Sequence, residues 1–237
     1  MGIVRESIAI QDLSLEYHDF IRAKNTPWGI ITPFEALNSL SLVINEGETI
    51  ALLGRNGAGK STLLKCIGGL IRPAKGKIIT NGRVILLAGV DPGFLPDLTG
   101  RQNTLELGRA YGIKSELLNQ FSDSIEDFAN LGEAYDRRFG GYSTGMRGKL
   151  GFGFITALEP SILLIDETLG VGDVEFRKKA QLRLKKFIKN SGTVIISTHS
   201  LGLAKELCNR GILLDKGKLV VDGDISEVIK KYTSMTS

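Results

Sequence analysis

Apolar residues near the amino terminus fall on alternate positions, the period of an extended strand with one buried face. Ile8, Ile10, Leu13, Leu15 and Tyr17 carry the pattern through residues 6–17, and the step from Ile10 to Leu13 predicts a bulge near Asp12. Residues 38–46, NSLSLVINE, repeat the alternation. The 18–37 stretch between them is longer than an ordinary hairpin loop. With the single tryptophan, Trp28, it reads either as a functional insert or as a packed surface loop. Further along the period changes. The run TIALL leads through a glycine-rich turn into an apolar-periodic helix, and short strands are predicted around Asn81-Gly82 within residues 77–89. Leu117, Leu118, Phe121, Ile125 and Phe128 stand at helical spacing inside a polar block, 101–140, which predicts a helical subdomain. SILLIDE (161–167) and TVIIST (193–198) are apolar runs of the kind buried on both faces of a sheet. RKKAQLRLKKFIKN (177–190) predicts an amphipathic helix whose basic face is solvated or, as the alternative, meets nucleic acid. GILLDKGKLVVDGD reads as a hairpin about Lys216-Gly217, and Asp224 with Glu227 has the spacing of a capping box. Strands alternating with helices, interrupted by one helical block, predict an α/β fold with a mainly parallel sheet.

Composition narrows the class. The chain has 237 residues, 42% apolar and 24% charged, which suits an ordinary folded domain and not a disordered chain. Its two cysteines, Cys66 and Cys208, are far apart and only His18 and His199 are available to join them, so a zinc site is not expected and the thiols read as buried residues of a reducing compartment. A net charge of +4 permits contact with acidic lipid or nucleic acid without demanding either. No stretch approaches the roughly 20 apolar residues of a membrane helix. The amino terminus has no apolar core of a signal peptide, and Gly2 opens no myristoylation signal.

The glycine-rich turn carries the strongest chemical signal. GRNGAGKS, Gly54 to Ser61, fits G-x-x-x-x-G-K-[ST] with a strand before it and a helix after it. Gly54, Gly57 and Gly59 let the backbone curl so that successive N–H groups, those of Asn56 and Ala58 among them, point inward at an anion. The helix beginning near Lys60 aims its positive end at the same point. Lys60 supplies a cation for the β- and γ-phosphates of a nucleoside triphosphate, and Ser61, followed by Thr62, offers a hydroxyl to Mg²⁺. The alternative is a plain glycine turn beside a surface lysine.

Two acids, Asp166 and Glu167, end the SILLI run, where ligand sites of doubly wound sheets lie. Asp166 is the candidate metal ligand, and Glu167 the candidate that orients a water for attack on the γ-phosphate. Two solvated acids at a strand end are the alternative. His199 follows TVIIST at another strand end, in reach of a γ-phosphate or as a structural histidine. A positioned group of this kind contributes about 10²–10⁴ in rate, so loss of Glu167 or His199 is expected to abolish turnover more than binding, and loss of Lys60 to damage both.

With these motifs in this order, and with YSTGM at 142–146 ahead of KLGFGFITAL, the chain resembles the ATPase subunit of ABC transporters over nearly its whole length. That resemblance implies a P-loop NTPase with a mainly parallel central sheet, an N-terminal antiparallel β subdomain and a helical signature subdomain at approximately 99–155. YSTGM stands where the family carries its signature, usually LSGGQ. Two copies are then expected to pair head to tail, so that Ser143, the Thr144 and Gly145 N–H groups and the helix start of one copy close over ATP held by the other's glycine loop. Tyr17 falls where an aromatic stacks on adenine, or is an ordinary strand aromatic. Asp173, in GVGD, falls in the loop that communicates between paired sites.

YSTGM, LLIDETLGVGD, GFLPDLTGRQN and the terminal GDISEVIKKY together look like the branch that exports cell-surface polysaccharide: O-antigen, capsule and teichoic acid. The resemblance implies an ATP- and Mg²⁺-dependent hydrolase that partners a polytopic membrane permease. It implies a place at the cytoplasmic face of the plasma membrane, held through that permease, with no nucleic acid as partner. The chain is expected to be a single ATPase domain, 1–237, without the C-terminal sugar-binding domain some members carry. One departure stands out. The family places a glutamine ahead of the signature; the equivalent here is Val90, and Gln102 is too far along to substitute. Phe94, Leu95 and Pro96 are candidates for permease contact or for simple packing. Rival readings are an ABC ATPase for another cargo, a soluble ABC ATPase of repair or translation, and a non-catalytic nucleotide-binding regulator. The chain lacks the paired domains and coiled-coil inserts of the soluble types, and Glu167 with His199 argues against the regulator.

Overall fold

The computed structural model describes residues 5–21, 30–88, 92–166, 173–190 and 192–236. Two sheets stack. The smaller is antiparallel, in the order β2 (Ile30–Asn45), β1 (Glu6–Ile21), β4 (Lys75–Thr80). The larger has six strands, in the order β5 (Val84–Ala88), β6 (Ile162–Asp166), β7 (Thr193–Ser197), β3 (Thr49–Leu53), β8 (Arg210–Asp215), β9 (Lys218–Asp224). All neighbours in it run parallel except β8 and β9. β3, β6 and β7 are buried almost throughout, which is why they read as unbroken apolar runs.

β1 carries the predicted bulge: its register with β2 shifts between Ile10 and Leu13, and Asp12 takes a left-handed φ of 47°. The reading of 18–37 as a connection is corrected. β1 and β2 pair on from Tyr17↔Phe34 through Ile21↔Ile30, so 18–21 and 30–37 are strand. Isoleucine, threonine and phenylalanine favour extended chain, and Pro33 is tolerated because β2 is an edge strand. Trp28 lies outside the described residues. The hairpin at Lys216-Gly217 is present, both residues taking positive φ as a tight two-residue turn requires.

Two apolar clusters flank the large sheet. One, with Ile50, Leu52, Leu164 and Ile195, packs against helix α1 (Lys60–Ile67) and the small sheet. The other, with Leu53, Ile165 and Ile196, faces a layer of helices. That layer holds α2 (Gly100–Ala110), α3 (Leu118–Ala129), α4 (Thr144–Ala157), α5 (Val174–Lys189), α6 (Leu201–Leu207) and α7 (Ile225–Thr236). Phe94, Phe121 and Tyr111 pack edge-on around Phe154 of α4. α2 opens with a capping box in which Thr99 and Gln102 bond reciprocally, which gives Gln102 a structural task. At α7 the Asp224 carboxylate accepts from the Ser226 N–H.

The basic face of α5 is solvated as expected: Arg177, Lys178, Lys179, Lys185, Lys186 and Lys189 are exposed, and Arg183 is half-buried. Lys179 and Arg183 lie over the Phe128 ring, at 5.2 and 4.4 Å from its centroid. Lys185 pairs with Glu206. Burial holds the Arg183 guanidinium below its ordinary pKa range. Both cysteines are buried and free, and burial pushes their pKa up, to about 11 for Cys66 and about 12 for Cys208, as inert core thiols. Among the described residues no helix is long and apolar enough to cross a membrane.

Candidate functional site

The site grows from the end of β3. The strand stops at Leu53, the chain curls through Gly54 to Gly59, and α1 starts at Lys60. Gly54, Gly57 and Gly59 have φ of 153°, 80° and 102°. A side chain at Gly54 would bring its Cβ to 2.5 Å from the Leu214 carbonyl, and one at Gly59 to 2.6 Å from that of Ala36. Those two glycines are therefore required by the fold itself. Gly57 also needs its left-handed turn, yet its space is open, which leaves the loop's inner surface free for an incoming group. The loop is anchored from outside: the Gly217 N–H donates to the Ala58 carbonyl at 3.0 Å, and the Asn38 N–H to that of Gly217 at 2.9 Å. Arg55, Asn56, Gly57 and Ser61 are exposed; Lys60 and Ala58 are buried and Thr62 half-buried. Lys60 Nζ reaches across the curl, donating to the carbonyls of Gly54 (2.8 Å) and Arg55 (3.2 Å). Gly59 caps α1 in a left-handed conformation without a side chain, so the helix start presents bare N–H groups.

Asp166 ends β6 beside this loop. Its register partner on β7 is Ser197, which in turn pairs with Leu52 of β3. Leu164, Ile195 and Leu52 face α1, and side chains alternate along a strand. Asp166 and Ser197 therefore continue the row that faces the α1 side, where Ser61 stands in the first turn. The Ser197 hydroxyl is fully buried and has no hydrogen-bond partner among the described residues. A carboxylate, a helix-start hydroxyl and an orphaned buried hydroxyl form an all-oxygen set, which suits a hard divalent ion such as Mg²⁺ with its hydration shell. Glu167, the candidate for water activation, lies outside the described residues, as does Val90. His199 is exposed on the turn between β7 and α6, two residues past Ser197 and at the same carboxyl edge. Ser200 caps α6 behind it.

Tyr17 belongs to the small sheet but reaches the same end of the molecule. Opposite it on β2 is Phe34, two residues from Ala36, whose carbonyl abuts Gly59. At about 3.3 Å per strand residue, Ala36 and Phe34 are roughly 7 Å apart along β2. Tyr17 and Phe34 are both exposed, 39% and 53%.

Ser143 and Gly145 stand elsewhere in the fold, at the start of α4. Ser143 is the N-cap, accepting from the Met146 N–H at 3.3 Å. Gly145 has an ordinary helical conformation, and a Cβ there would meet nothing nearer than the Ser143 hydroxyl at 4.0 Å. Nothing among the described residues requires this glycine, although glycine in a helix costs about 1 kcal/mol against alanine. Phe94, one of three residues offered for partner contact, is instead buried against Phe139 and Phe154, while Leu95 is 58% exposed and Pro96 exposed.

Sequence reasoning passed over three residues. Ser197 was hidden as one polar letter in a buried run. Asn103 holds the 95–99 turn: its side chain accepts from the Leu95 N–H (2.7 Å) and donates to the carbonyls of Leu95 and Thr99, each at 3.0 Å. Lys149 pairs with Asp173 at 2.7 Å. A cleft of about 1270 Å³, lined by Arg5, Ser161, Arg183, Lys186 and Thr193 among others, lies at the amino ends of β6 and β7. It is at the opposite edge from the glycine loop and takes no part in that chemistry.

The profile of the ABC transporter family matches residues 37–170. The chain is 37% identical over 197 residues to the O-antigen export system ATP-binding protein RfbB of Klebsiella pneumoniae, covering 83% of this chain and 80% of that protein. It is 35% identical over 232 residues to the teichoic acids export ATP-binding protein TagH of Listeria innocua, covering 95% and 69%. Against the polysialic acid transport ATP-binding protein KpsT of Escherichia coli it is 38% identical over 206 residues, covering 87% and 90%. Its backbone superposes with a TM-score of 0.75 on the dimeric post-hydrolysis ATP-binding cassette MJ0796 bound to ADP and Pi, at 21% identity over 92% of this chain and 98% of that one.

Proposed function

This chain belongs to the ABC transporter family, and from that premise we propose that it is the ATP-hydrolysing subunit of an exporter that moves a lipid-linked cell-surface polysaccharide across the cytoplasmic membrane. The observation that carries the catalytic half of the reading is the cradle at the end of β3. Two of its glycines are fixed by close backbone approach, its inner surface is open at Gly57, and its lysine is buried. The cargo half rests on relatives named for O-antigen, teichoic acid and polysialic acid export.

In this reading Gly54 to Thr62 bind the triphosphate. Backbone N–H groups and the α1 start meet the phosphate oxygens, and Lys60 adds its charge at the β/γ junction. Asp166 and Ser61 hold Mg²⁺, which when bound neutralises developing phosphate charge. Glu167 orients the attacking water, and His199 contacts the γ-phosphate from the neighbouring strand end. Tyr17 lies against the adenine. Ser143 and Gly145 of a second copy complete the site, and the open space around Gly145 supports an approach from outside the protomer. The chain acts as one ATPase domain whose helical subdomain spans approximately 99–155, and it sits at the cytoplasmic face of the membrane through a polytopic permease.

The first test is phosphate release by the purified chain with and without Mg²⁺. Lys60→Ala is expected to weaken ATP binding by roughly ten- to a hundredfold, as loss of charge-assisted hydrogen bonds implies. Glu167→Gln is expected to keep binding and lose turnover. An inactive wild type would leave only a nucleotide-binding regulator. For the cargo, depletion in cells should strip polysaccharide from the surface and accumulate lipid-linked glycan inside; an intact surface coat rules out that assignment.

A further inference from the structure

Asp173 performs two tasks with its two carboxylate oxygens. Oδ1 accepts from the Phe176 N–H at 2.8 Å and caps α5. Oδ2 receives Lys149 Nζ, from the second turn of α4, at 2.7 Å. Lys149 is mostly covered, its side chain 22% exposed, and its ammonium also lies 5.6 Å from the Phe176 ring. That ring packs against Phe128 of α3 and Phe152 of α4. The Lys149 ammonium, with the Phe176 N–H, holds the Asp173 carboxyl down at about 2.

The two ends of this pair belong to different parts of the proposed machinery. Lys149 is on the helix that starts with Ser143 and Gly145. Asp173 follows 167–172, the segment that leaves Asp166 and Glu167. A second lysine repeats the connection at the next turn: Lys179 of α5 donates to the carbonyls of Asp127 and Phe128, at the end of α3. The helical layer therefore grips α5 at its first turn and again near its middle. Asp173 thus ties the orientation of α4 to the first turn of α5.

We propose that Lys149 is a positioning residue that, through Asp173, locks the signature helix α4 to the start of α5, so that α4 presents Ser143 and Gly145 to the partner's nucleotide in a fixed orientation. This rests on the dimeric ATPase reading above. With Asp173 open to solvent the pair contributes only modestly to stability, so a purely structural role would leave the kcat of the folded protein untouched when it is removed. A positioning role predicts a larger effect on turnover, since small misplacements cost up to about a hundredfold in rate.

The experiment uses the full chain and four variants: Lys149→Ala, Lys149→Arg, Asp173→Asn and the Lys149→Ala/Asp173→Asn double. Asparagine still caps α5 but does not attract the ammonium. Expected results are unchanged ATP affinity in every variant and kcat down roughly tenfold to a hundredfold in Lys149→Ala and in Asp173→Asn. The double variant should be no worse than either single, as a shared interaction requires, and Lys149→Arg should return most of the loss. The same series in the Glu167→Gln background reads ATP-driven dimerisation directly, by light scattering. If Glu167→Gln alone stays monomeric, the dimer reading fails. If it dimerises and Lys149→Ala neither weakens the dimer nor lowers kcat, only the present inference fails. Equal losses in affinity and kcat would also overturn it, by assigning Lys149 to nucleotide binding.

Discussion

Ser197 shows how a single residue reports on a site. It sits at the end of a strand whose other members are threonine, valine and isoleucine, fully buried, with a hydroxyl that has no partner among the described residues. Leaving a buried polar group unpaired costs about 1–3 kcal/mol, so removing the hydroxyl should stabilise the isolated protein. Ser197→Ala is expected to raise the thermal midpoint in nucleotide-free buffer, by an amount equivalent to about 1 kcal/mol. Differential scanning calorimetry measures this. A lower midpoint instead would mean that the hydroxyl bonds to ordered water beside Asp166. A buried serine facing the same side as an acid and a helix start is worth keeping only where something meets it. This is the physical signal that the letter S in TVIIST carries.

At the scale of elements, α4 separates folding from function most clearly. Its cap, Ser143, is needed to start the helix; its first-turn glycine, Gly145, is not. Alanine at 145 fits open space and suits a helix better, so Gly145→Ala is expected to leave stability unchanged or raise it by up to about 1 kcal/mol. The same change should abolish ATP-driven dimerisation of Glu167→Gln protein, because the added methyl would occupy the face proposed to meet the partner's nucleotide. Urea unfolding and size-exclusion chromatography with ATP check the two halves. A variant that dimerises normally would remove Gly145 from the interface. The same contrast explains what was legible beforehand. The glycine loop, the buried strands β6 and β7 and the α4 cap announce themselves through local chemistry: positive φ, unbroken apolar runs, a hydroxyl before a helix. The long β1–β2 ribbon did not, because its outer half alternates less cleanly and holds a proline that only its edge position permits. Nor did the contacts of Lys179 and Arg183 with Phe128: the basic stripe is solvated as its pattern implies, but the ring beneath these two cations belongs to α3 and meets α5 through tertiary packing. Lys149 and Asp173 lie 24 residues apart and meet only through tertiary packing.

At the scale of the whole molecule the fold sets the two halves of the proposed site apart. The glycine loop, Asp166 and His199 share the carboxyl edge of the large sheet, while Ser143 and Gly145 open a helix in another layer. A head-to-tail pair of copies puts two complete sites at one interface, each made of halves from different chains. That geometry has a consequence no single-chain site shares. A Lys60→Ala protomer keeps an intact signature start, and a Gly145→Asp protomer, whose added carboxylate repels phosphate, keeps an intact cradle. Each is inactive alone, because every site in its homodimer has one dead half. In a heterodimer one site has both defects and the other has none. Random mixing makes half of the dimers mixed, and one site in two is whole in each, so independent sites would return about a quarter of wild-type activity. The observable is phosphate release from an equal mixture of the two variants, against each variant alone at the same total concentration. Activity in the mixture alone is the expected outcome. A mixture that stays at the level of its parents, under conditions where tagged copies of the two co-purify, would show that cradle and signature act within one chain.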